Sequence, residues 1–308
     1  MTVQMEKVSK KWRQTLYRAR RNRIAYLLIL PFFALFFVFT VLPVVSAFAY
    51  SFTYYNVFQE PVFVGLGNYI KLLLYDDIYM TSLKNTVIFA IITAPTGYIL
   101  GLLVAWFINE LPRRVRSVCV LIFYAPSITG SAYTVWKLLF SSDSYGYVNA
   151  FLMRFGFISS PIQWFSDARY ILPLLIVVQI WMSLGTGFLS FVAGLKGVDR
   201  TLIEAGAIDG VRNRWQELWY ITLPSIKPQL VFGAVLSITG AFSVCEISSN
   251  LAGSPSVQYA GHFIASHMQD YGNIRYEMGY ACAIATVLFL MTLICNKFIN
   301  IVLNRTIK

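Results

Sequence analysis

Residues 204–224 read EAGAIDGVRNRWQELWYITLP, a charged stretch that lies between two of the most apolar segments of the chain. It begins at Glu204, contains an Asp209-Gly210 pair suited to a turn, and ends at Leu223 and Pro224. Polar stretches between long apolar runs are typical of loops that join membrane-spanning helices. The stretch therefore predicts a structured loop at a membrane surface.

The composition of the chain is that of a membrane protein. Its 308 residues are 57% apolar and only 13% charged, where soluble domains carry about 25% charged residues. The mean hydropathy is +0.61, so the folded chain would lack the polar surface that water requires. A net charge of +11 would also fit nucleic-acid binding, but the basic residues lie in short blocks between apolar runs. We predict a polytopic protein that contacts membrane lipid and binds no nucleic acid.

Six apolar runs are long enough to cross a bilayer, which needs about 20 residues in a helix. Lipid offers no partner for free backbone groups, so each run is predicted to be helical and the fold class all-α. The predicted spans one to six are 24–50, 84–108, 115–140, 170–194, 228–249 and 278–303. Span one has a basic flank like a signal peptide, but its apolar region exceeds the roughly 7–15 residues of such signals, so we predict that it is retained.

Lys and Arg residues are distributed unequally between the two sides of the predicted membrane. With six spans both termini lie on one side, and most of the 25 basic residues fall on that side. Basic loops stay in the cytoplasm, which predicts cytoplasmic termini and a cytoplasmic loop over 195–227. The chain is thus divided into a basic N-terminal arm, 1–23, and a transmembrane domain, 24–308.

Local patterns predict two short helices inside the loop. Thr201 and Glu204 have the spacing of a capping box, with Asp199 as a rival N-cap, and Gly210 is suited to end the first helix. The small residues at 205–207 leave one face of this helix almost bare, so another surface can approach it closely.

A second helix is predicted over 212–222, followed by a break at Pro224 and Pro228. On physical grounds alone, an amphipathic connector that lies on the membrane surface explains this stretch equally well.

The loop resembles the EAA loop of importer-type ABC transporter permeases, whose signature is Glu-Ala-Ala, then Asp-Gly, then Ile-x-Leu-Pro. Three further segments are similar to the carbohydrate-uptake branch of that family, the maltose and glycerol-phosphate type. They are FVGLGNYIKLLLYDDIYMTSLKNT at 63–86, YAPS at 124–127 and EMGYA at 277–281. In the loop, the matching residues are Glu204, Ala205, Gly206, Asp209, Gly210, Ile221, Leu223 and Pro224.

This resemblance implies a type I importer permease, a multi-pass protein of a prokaryotic plasma membrane that moves a carbohydrate or related solute inward by alternating access. In the family, the loop carries a coupling helix that docks on an ATPase subunit. The resemblance therefore assigns ATPase coupling to Glu204, Ala205, Gly206, Asp209, Gly210, Leu223 and Pro224. The implied partners are two ATPase subunits, a second related permease and an extracellular solute-binding protein. ATP and Mg²⁺ are expected in the ATPase subunits, because this chain has no Gly-x4-Gly-Lys-Ser/Thr phosphate loop and is predicted not to be an enzyme.

The loop departs from the family pattern at two points. Gly206 stands where a second alanine is usual, and glycine lowers helix propensity by up to about 1 kcal/mol relative to alanine. The spacing from Gly210 to Pro224 is one residue longer than the family pattern, which predicts a shift of the second short helix relative to the first.

Polar residues at membrane depth are candidates for a solute path. Gln179 and Ser183 lie at i and i+4 on span four, while Ser243, Glu246 and Asn250 are predicted to share one face of span five. A neutral sugar needs hydrogen-bond partners and flat apolar surfaces. The aromatic candidates for such surfaces are Tyr133, Trp136 and Trp181. The alternative is that Glu246 lies near the outer lipid headgroups and that these three aromatic residues belong to interfacial belts.

Other function classes have less support. A secondary transporter or channel would be expected to show inverted repeats or several acids at mid-span, and the sequence has neither. An intramembrane enzyme lacks a catalytic motif such as Gly-x-Ser-x-Gly. His262 and His267 have no metal-binding motif around them, so no metal is predicted. Asp76, Asp77 and Asp270 are expected to be ordinary solvated charges.

Overall fold

The computed structural model describes residues 21–129 and 132–306, apart from the side chain of Thr306. Most of the predicted N-terminal arm, residues 1–20, lies outside this part of the chain, as do residues 130–131 of predicted span three and the last two residues. Among the described residues the strands are β1 (Thr53–Tyr54) and β2 (Val62–Phe63), which pair antiparallel.

Helices make up most of the remaining structure. In chain order they are α1 (Arg23–Phe36), α2 (Leu42–Tyr50), α3 (Gly67–Ile70), α4 (Asp77–Asn109), α5 (Arg113–Ile128), α6 (Ala132–Leu139), α7 (Tyr147–Arg154), α8 (Ala168–Met182), α9 (Thr186–Lys196), α10 (Arg200–Ile208), α11 (Arg214–Glu217), α12 (Leu223–Ser225), α13 (Lys227–Phe242), α14 (Glu246–Leu251), α15 (Ile264–Gln269) and α16 (Met278–Thr306). π-helical turns lie at Phe37–Val41, Lys71–Tyr75, Leu218–Thr222 and Asp270–Ile274, and a 3₁₀ turn lies at Val257–Tyr259.

Four stretches in the described part of the chain are long and apolar enough to cross a membrane without a sharp bend. They are Arg23–Tyr50, Asp77–Asn109, Ala168–Lys196 and Met278–Arg305, and they correspond to predicted spans one, two, four and six. Two bent helix pairs bring the number to six if each pair is one span. One pair is α5 with α6, and the other joins Arg214–Ser225 to Lys227–Phe242 at an angle of 83°. The predicted all-α class is confirmed.

The prediction that span three is one helix over 115–140 is wrong. Helix α5 ends at Ile128, and α6 begins at Ala132. Pro126 supplies no backbone N–H to the last turn of α5. The hydroxyls of Ser127 and Thr129 donate to carbonyls of the same turn at 2.8 and 2.7 Å, so the helical ladder is already weakened where it stops.

The prediction that span five is one helix over 228–249 is also wrong. Helix α13 ends at Phe242, and α14 begins at Glu246 after a short non-helical turn. This turn places Val244 and Ile247 in a buried cluster with Ile171 of span four. Span four is interrupted as well, because both the backbone N–H and the hydroxyl of Ser183 donate to the carbonyl of Ile180.

Helix α4 lies at the centre of the bundle and packs against α9 and α13. The close packing depends on glycines, as is usual between membrane helices. A Cβ atom on Gly233 would overlap the ring of Phe191, and one on Gly97 would lie 2.7 Å from Cβ of Ser183. Span one, in contrast, buries none of its residues and presents its apolar side chains outward, as a helix facing lipid does.

Candidate coupling loop and solute cavity

The first helix of the loop, α10, begins two residues earlier than the capping-box spacing predicts. Asp199 is the N-cap, and its side chain accepts a hydrogen bond from the backbone N–H of Thr201 at 2.9 Å. The prediction of Thr201 as N-cap is therefore wrong and the rival, Asp199, is correct. The hydrogen bonds from Thr201 also lower the pKa of Asp199.

Gly210 ends α10 as predicted. Its φ is +96°, a left-handed conformation that glycine adopts without strain. The N–H of Val211 bonds to the carbonyl of Gly206 at 2.9 Å and the N–H of Gly210 bonds to that of Ala207 at 3.4 Å. These two bonds form a Schellman motif, which satisfies carbonyls that the helix end would leave free.

The second helical segment starts at Arg214 and continues through a π turn to Ser225, so it begins later and ends later than predicted. Asn213 caps it by accepting from the N–H of Gln216 at 2.8 Å, and Gln216 accepts in return from the N–H of Arg212 at 2.9 Å. Pro224 does not break this segment. The chain bends after it instead, at Ile226.

A π turn, Leu218–Thr222, lies inside the second segment. In the π turn the N–H of Leu223 bonds to the carbonyl of Leu218, five positions earlier. Such a turn contains one residue more than an α-helical turn.

The seven predicted coupling residues fall into an exposed group and a buried group. Glu204, Ala205, Asp209 and Gly210 are exposed. Gly206 is buried because Ile221 of the second segment packs where a side chain at 206 would lie. The other two loop residues in the set are buried Leu223 and half-buried Pro224.

The bare face predicted at 205–207 is therefore used partly inside the chain, at Gly206. Other parts of the α10 surface remain uncovered and are partly apolar. Leu202 is 49% exposed and Ile208 is 87% exposed. Exposed apolar side chains on a folded loop mark a surface suited to contact with another molecule.

A cavity of about 260 Å³ lies between spans two, four and five. Its polar lining comes from hydroxyl and amide groups, and no charged side chain is among the described lining residues. These residues are Thr93, Gly97, Tyr98, Gly101, Gln179, Met182, Ser183, Thr186, Gly187, Phe188, Phe191, Leu236, Ser237, Gly240 and Ala241. The predicted candidates Gln179 and Ser183 thus lie at this cavity, next to the interruption of span four.

The remaining solute-path candidates lie elsewhere. The rings of Trp136 and Trp181 contact each other edge to face, with centroids 5.5 Å apart, and Tyr133 packs with Trp136 against a buried apolar cluster. The other three candidates, Ser243, Glu246 and Asn250, are exposed, and the break after α13 separates the first of them from the helix that carries the other two.

A buried polar network at the end of the bundle opposite the loop was not predicted. Asp76 is 9% exposed, so its prediction as a solvated charge is wrong. Its carboxylate contacts His267 and Tyr280, and His267 in turn contacts His262 at 3.3 Å. Asp270 is not an isolated charge either, because it pairs with Arg275 at 2.7 Å. Spacing in the sequence could not reveal the contacts of Asp76, because His267 and Tyr280 lie 191 and 204 positions away.

The structure combines interrupted membrane helices with an uncharged polar cavity, and a capped helical loop lies at one end. This combination is that of a membrane transport permease. The chain belongs to the family described as binding-protein-dependent transport system inner membrane components, whose profile matches residues 85–308. The predicted resemblance to ABC transporter permeases is confirmed. Members of this family are membrane components of transport systems, so the chain is a permease subunit of the inner membrane and not an enzyme.

Some of the relatives are named as sugar permeases. The chain is 31% identical over 288 residues to the arabinooligosaccharides transport system permease protein AraP of Bacillus subtilis, covering 92% of this chain and 89% of that protein. It is 32% identical over 237 residues to the trehalose/maltose transport system permease protein MalF of Thermococcus litoralis, covering 76% and 78%.

Solved structures show the same fold. A chain in the crystal structure of a bacterial ABC transporter involved in import of the acidic polysaccharide alginate matches with a TM-score of 0.77 at 21% identity. The match covers 96% of this chain and 100% of that chain. A second structure of a bacterial alginate ABC transporter, in complex with an alginate pentasaccharide-bound periplasmic protein, matches with a TM-score of 0.76.

Proposed function

We propose that the chain is the permease subunit of an ATP-driven importer that carries a neutral carbohydrate into the cytoplasm by alternating access. The names of the sugar-permease relatives support the substrate class. The uncharged cavity supports neutrality, because hydroxyl and amide groups such as those of Gln179, Ser183 and Ser237 can bond to sugar hydroxyls, whereas an acidic sugar would require a cation. The alternative of a secondary transporter or channel is disfavoured by the family of the chain.

The observation that carries the coupling part of the proposal is the uncovered face of α10. Glu204, Ala205, Asp209 and Gly210 form the exposed surface that docks on an ATPase subunit, flanked by the apolar side chains of Leu202 and Ile208. Gly206, Leu223 and Pro224 act differently in this proposal. They hold the two helical segments of the loop together, so that the docking face moves as one body.

The proposed assembly contains two ATPase subunits, which bind ATP and Mg²⁺, and a second related permease that completes the solute path. A solute-binding protein docks at the end of the bundle opposite the loop. In this assembly the 195–227 loop and both termini lie in the cytoplasm, in agreement with the excess of Lys and Arg on that side.

Site-directed cross-linking tests the docking. Ile208→Cys, in a chain whose four native cysteines are replaced by alanine, is expected to cross-link to an ATPase subunit produced with the complete transport system. The matched control is Phe157→Cys, which is 73% exposed between spans three and four and should give no such product. Absence of the ATPase cross-link from position 208 in an assembled complex would refute the proposed docking.

Two substitutions test the coupling role of the same face. Glu204→Arg reverses an exposed charge, and Gly210→Pro cannot adopt the positive φ of the helix end. Both are expected to leave membrane insertion intact and to abolish solute-stimulated ATP hydrolysis by the assembled complex. Normal stimulation in both variants would mean that the loop is a passive connector.

A panel of labelled sugars tests the substrate class. Vesicles that contain the complete system are expected to accumulate neutral oligosaccharides from a set of arabinooligosaccharides, maltose and lactose, and to exclude alginate oligosaccharides. Uptake restricted to the acidic oligosaccharides would contradict the neutral substrate class and leave the coupling proposal standing.

A further inference from the structure

The second helical segment of the loop is fastened to the end of helix α4. The rings of Trp106 in α4 and Trp215 in the loop have centroids 5.0 Å apart at an interplanar angle of 49°. Nη1 of Arg214 lies 3.4 Å from Oε1 of Glu110 and 3.6 Å from Oε2 of Glu217. We call the contact of Trp215 and Arg214 with Trp106 and Glu110 the inner clasp.

Packing around Trp106 holds the loop against α4 beside the inner clasp. Trp106 is only 8% exposed and belongs to a buried cluster that also contains Leu218 and Leu223 of the loop. The ion pairs are weaker, because the side chains of Arg214 and Glu110 are 62% and 41% exposed, and exposed pairs contribute about 0–1 kcal/mol. Arg214 also places a cation beside the C-terminal end of α4, which favours positive charge.

The inner clasp completes a continuous path of contacts from the docking face to the cavity. Gly206 of α10 packs against Ile221 of the second segment. The same segment carries Trp215, which contacts Trp106 of α4. Helix α4 is a single 33-residue helix, and it contributes four residues to the cavity lining. They are Thr93, Gly97, Tyr98 and Gly101.

We propose that the inner clasp transmits movement of the docked loop into α4 and so changes the shape of the solute cavity. The proposal rests on the proposed function, since the movement starts at an ATPase subunit. Arg214 and Trp215 are positioning residues, because they act through α4 and do not line the cavity. Without the clasp only the buried cluster would hold the loop to α4, and less of the movement of the loop would reach the cavity.

Labelling at a cavity position measures this transmission without knowledge of the solute. The reporter is Ser237→Cys in the chain with its four native cysteines replaced by alanine, assembled with the complete transport system in membrane vesicles. A membrane-impermeant maleimide is applied with and without ATP and vanadate. The rate of labelling at position 237 reports the shape of the cavity, and release of phosphate before vanadate is added reports ATP hydrolysis.

Four variants and one matched control separate coupling from folding. Trp215→Ala is expected to keep ATP hydrolysis and to reduce the ATP-dependent change in labelling by roughly fivefold or more. Arg214→Gln should also keep hydrolysis and should reduce the change less, by roughly twofold, because it removes only exposed ion pairs. Trp215→Phe and Arg214→Lys keep an aromatic ring and a cation, and should restore most of the change. Trp219→Ala is the matched control, because Trp219 is 62% exposed in the same segment, close to the 61% of Trp215, and lies outside the ring contact with Trp106.

A double-mutant cycle shows whether the two rings act together. Trp106→Leu combined with Trp215→Leu should reduce the labelling change no further than either single substitution, because each alone removes the contact. Additive effects would show that the rings act independently and would overturn the clasp.

The outcomes distinguish the two proposals. If Trp215→Ala and Arg214→Gln show the full labelling change of the unmodified chain, the clasp is overturned and the proposed function stands. If the unmodified chain shows no ATP-dependent change, or assembles with no ATPase, the proposed function itself fails. Should Trp215→Ala not assemble, Trp215→Leu takes its place, because it also removes the ring contact and keeps an apolar side chain in the segment.

Discussion

Asp76 and His267 are 191 positions apart in the sequence, yet Nε2 of His267 lies 3.0 Å from Oδ2 of Asp76 and both side chains are buried. Tyr280 donates its hydroxyl to the same oxygen at 2.7 Å, and the N–H of Tyr79 donates to the other at 2.8 Å. The carboxylate thus connects the N-terminal ends of α4 and α16 to His267 in α15.

The proton positions in this network follow from its partners. With Asp76 ionised, His267 carries its proton on Nε2, so its Nδ1 accepts from Nε2–H of His262 at 3.3 Å. Burial opposes ionisation of Asp76, but the hydrogen bonds from Tyr280, Tyr79 and His267 outweigh it and lower the pKa of the carboxyl. Both histidines are neutral in this arrangement.

Replacement of the carboxylate should loosen this end of the bundle. Asp76→Asn removes the ionised acceptor of three hydrogen bonds, and we expect a loss of about 1–3 kcal/mol. The melting temperature of the purified protein in detergent measures this loss of stability. Asp77→Asn is the matched control, since Asp77 is exposed beside it. Equal melting temperatures for the two variants would contradict a structural role of the network.

Stability should fall as the pH is lowered from about 6.5 to about 4. Burial lowers the pKa of His262 from 6.5 to about 4, with His267 adding to the effect, and burial also lowers the pKa of His267. Below pH 6.5 the unfolded chain therefore binds protons that the folded chain excludes, which favours unfolding.

Melting temperatures measured across this pH range show whether stability falls toward acidic pH, as expected. For His262 alone the shift corresponds to at most about 3 kcal/mol. His262→Gln should flatten the profile relative to the unmodified protein, since one of the two buried bases is gone. A profile that rises toward acidic pH, or one that the substitution leaves unchanged, would contradict the neutral histidine pair.

Two glycines of α13 should respond in opposite ways to alanine. A Cβ on Gly233 would overlap the ring of Phe191, so Gly233→Ala is expected to destabilise the protein by about 1–3 kcal/mol. A Cβ on Gly240 has no atom within 4 Å, so Gly240→Ala should be neutral or slightly stabilising through helix propensity. Thermal melting compares the two, and a stable Gly233→Ala variant would mean that α9 and α13 pack less tightly than described.

Asn149 should hold the segment between spans three and four in its fold. The side chain is fully buried; it donates to the carbonyls of Ser141, Asp143 and Ile162 and accepts from the indole N–H of Trp164. Asn149→Leu leaves these groups unpaired at a loss of about 1–3 kcal/mol.

Limited proteolysis of the purified protein measures the effect of this change. Cleavage within 141–167 should become roughly tenfold faster or more, because cleavage tracks the opened population. Gln163→Ala is the control, as the amide of Gln163 makes an exposed hydrogen bond in the same segment. Unchanged cleavage in Asn149→Leu would show that the segment is held by other contacts.

Local patterns in the sequence were sufficient for much of the loop. Gly210 ends α10 because a positive φ is a property of one residue and its neighbours. The choice between Thr201 and Asp199 as N-cap could not be made from spacing, because both residues can accept the same type of hydrogen bond. The sequence predicted an ordinary helix near Pro224 and gave no indication of the π turn.

The sequence by itself determined that the chain is an all-helical membrane protein, since apolar runs of this length have no other stable state in lipid. It also determined that the loop contains two helical segments and that the first of them ends at Gly210. Only the tertiary structure decided where α13 stops, which polar residues share the cavity, and that Asp76 is buried against His267. These features depend on contacts between distant segments, and neither periodicity nor capping rules contain information about such contacts.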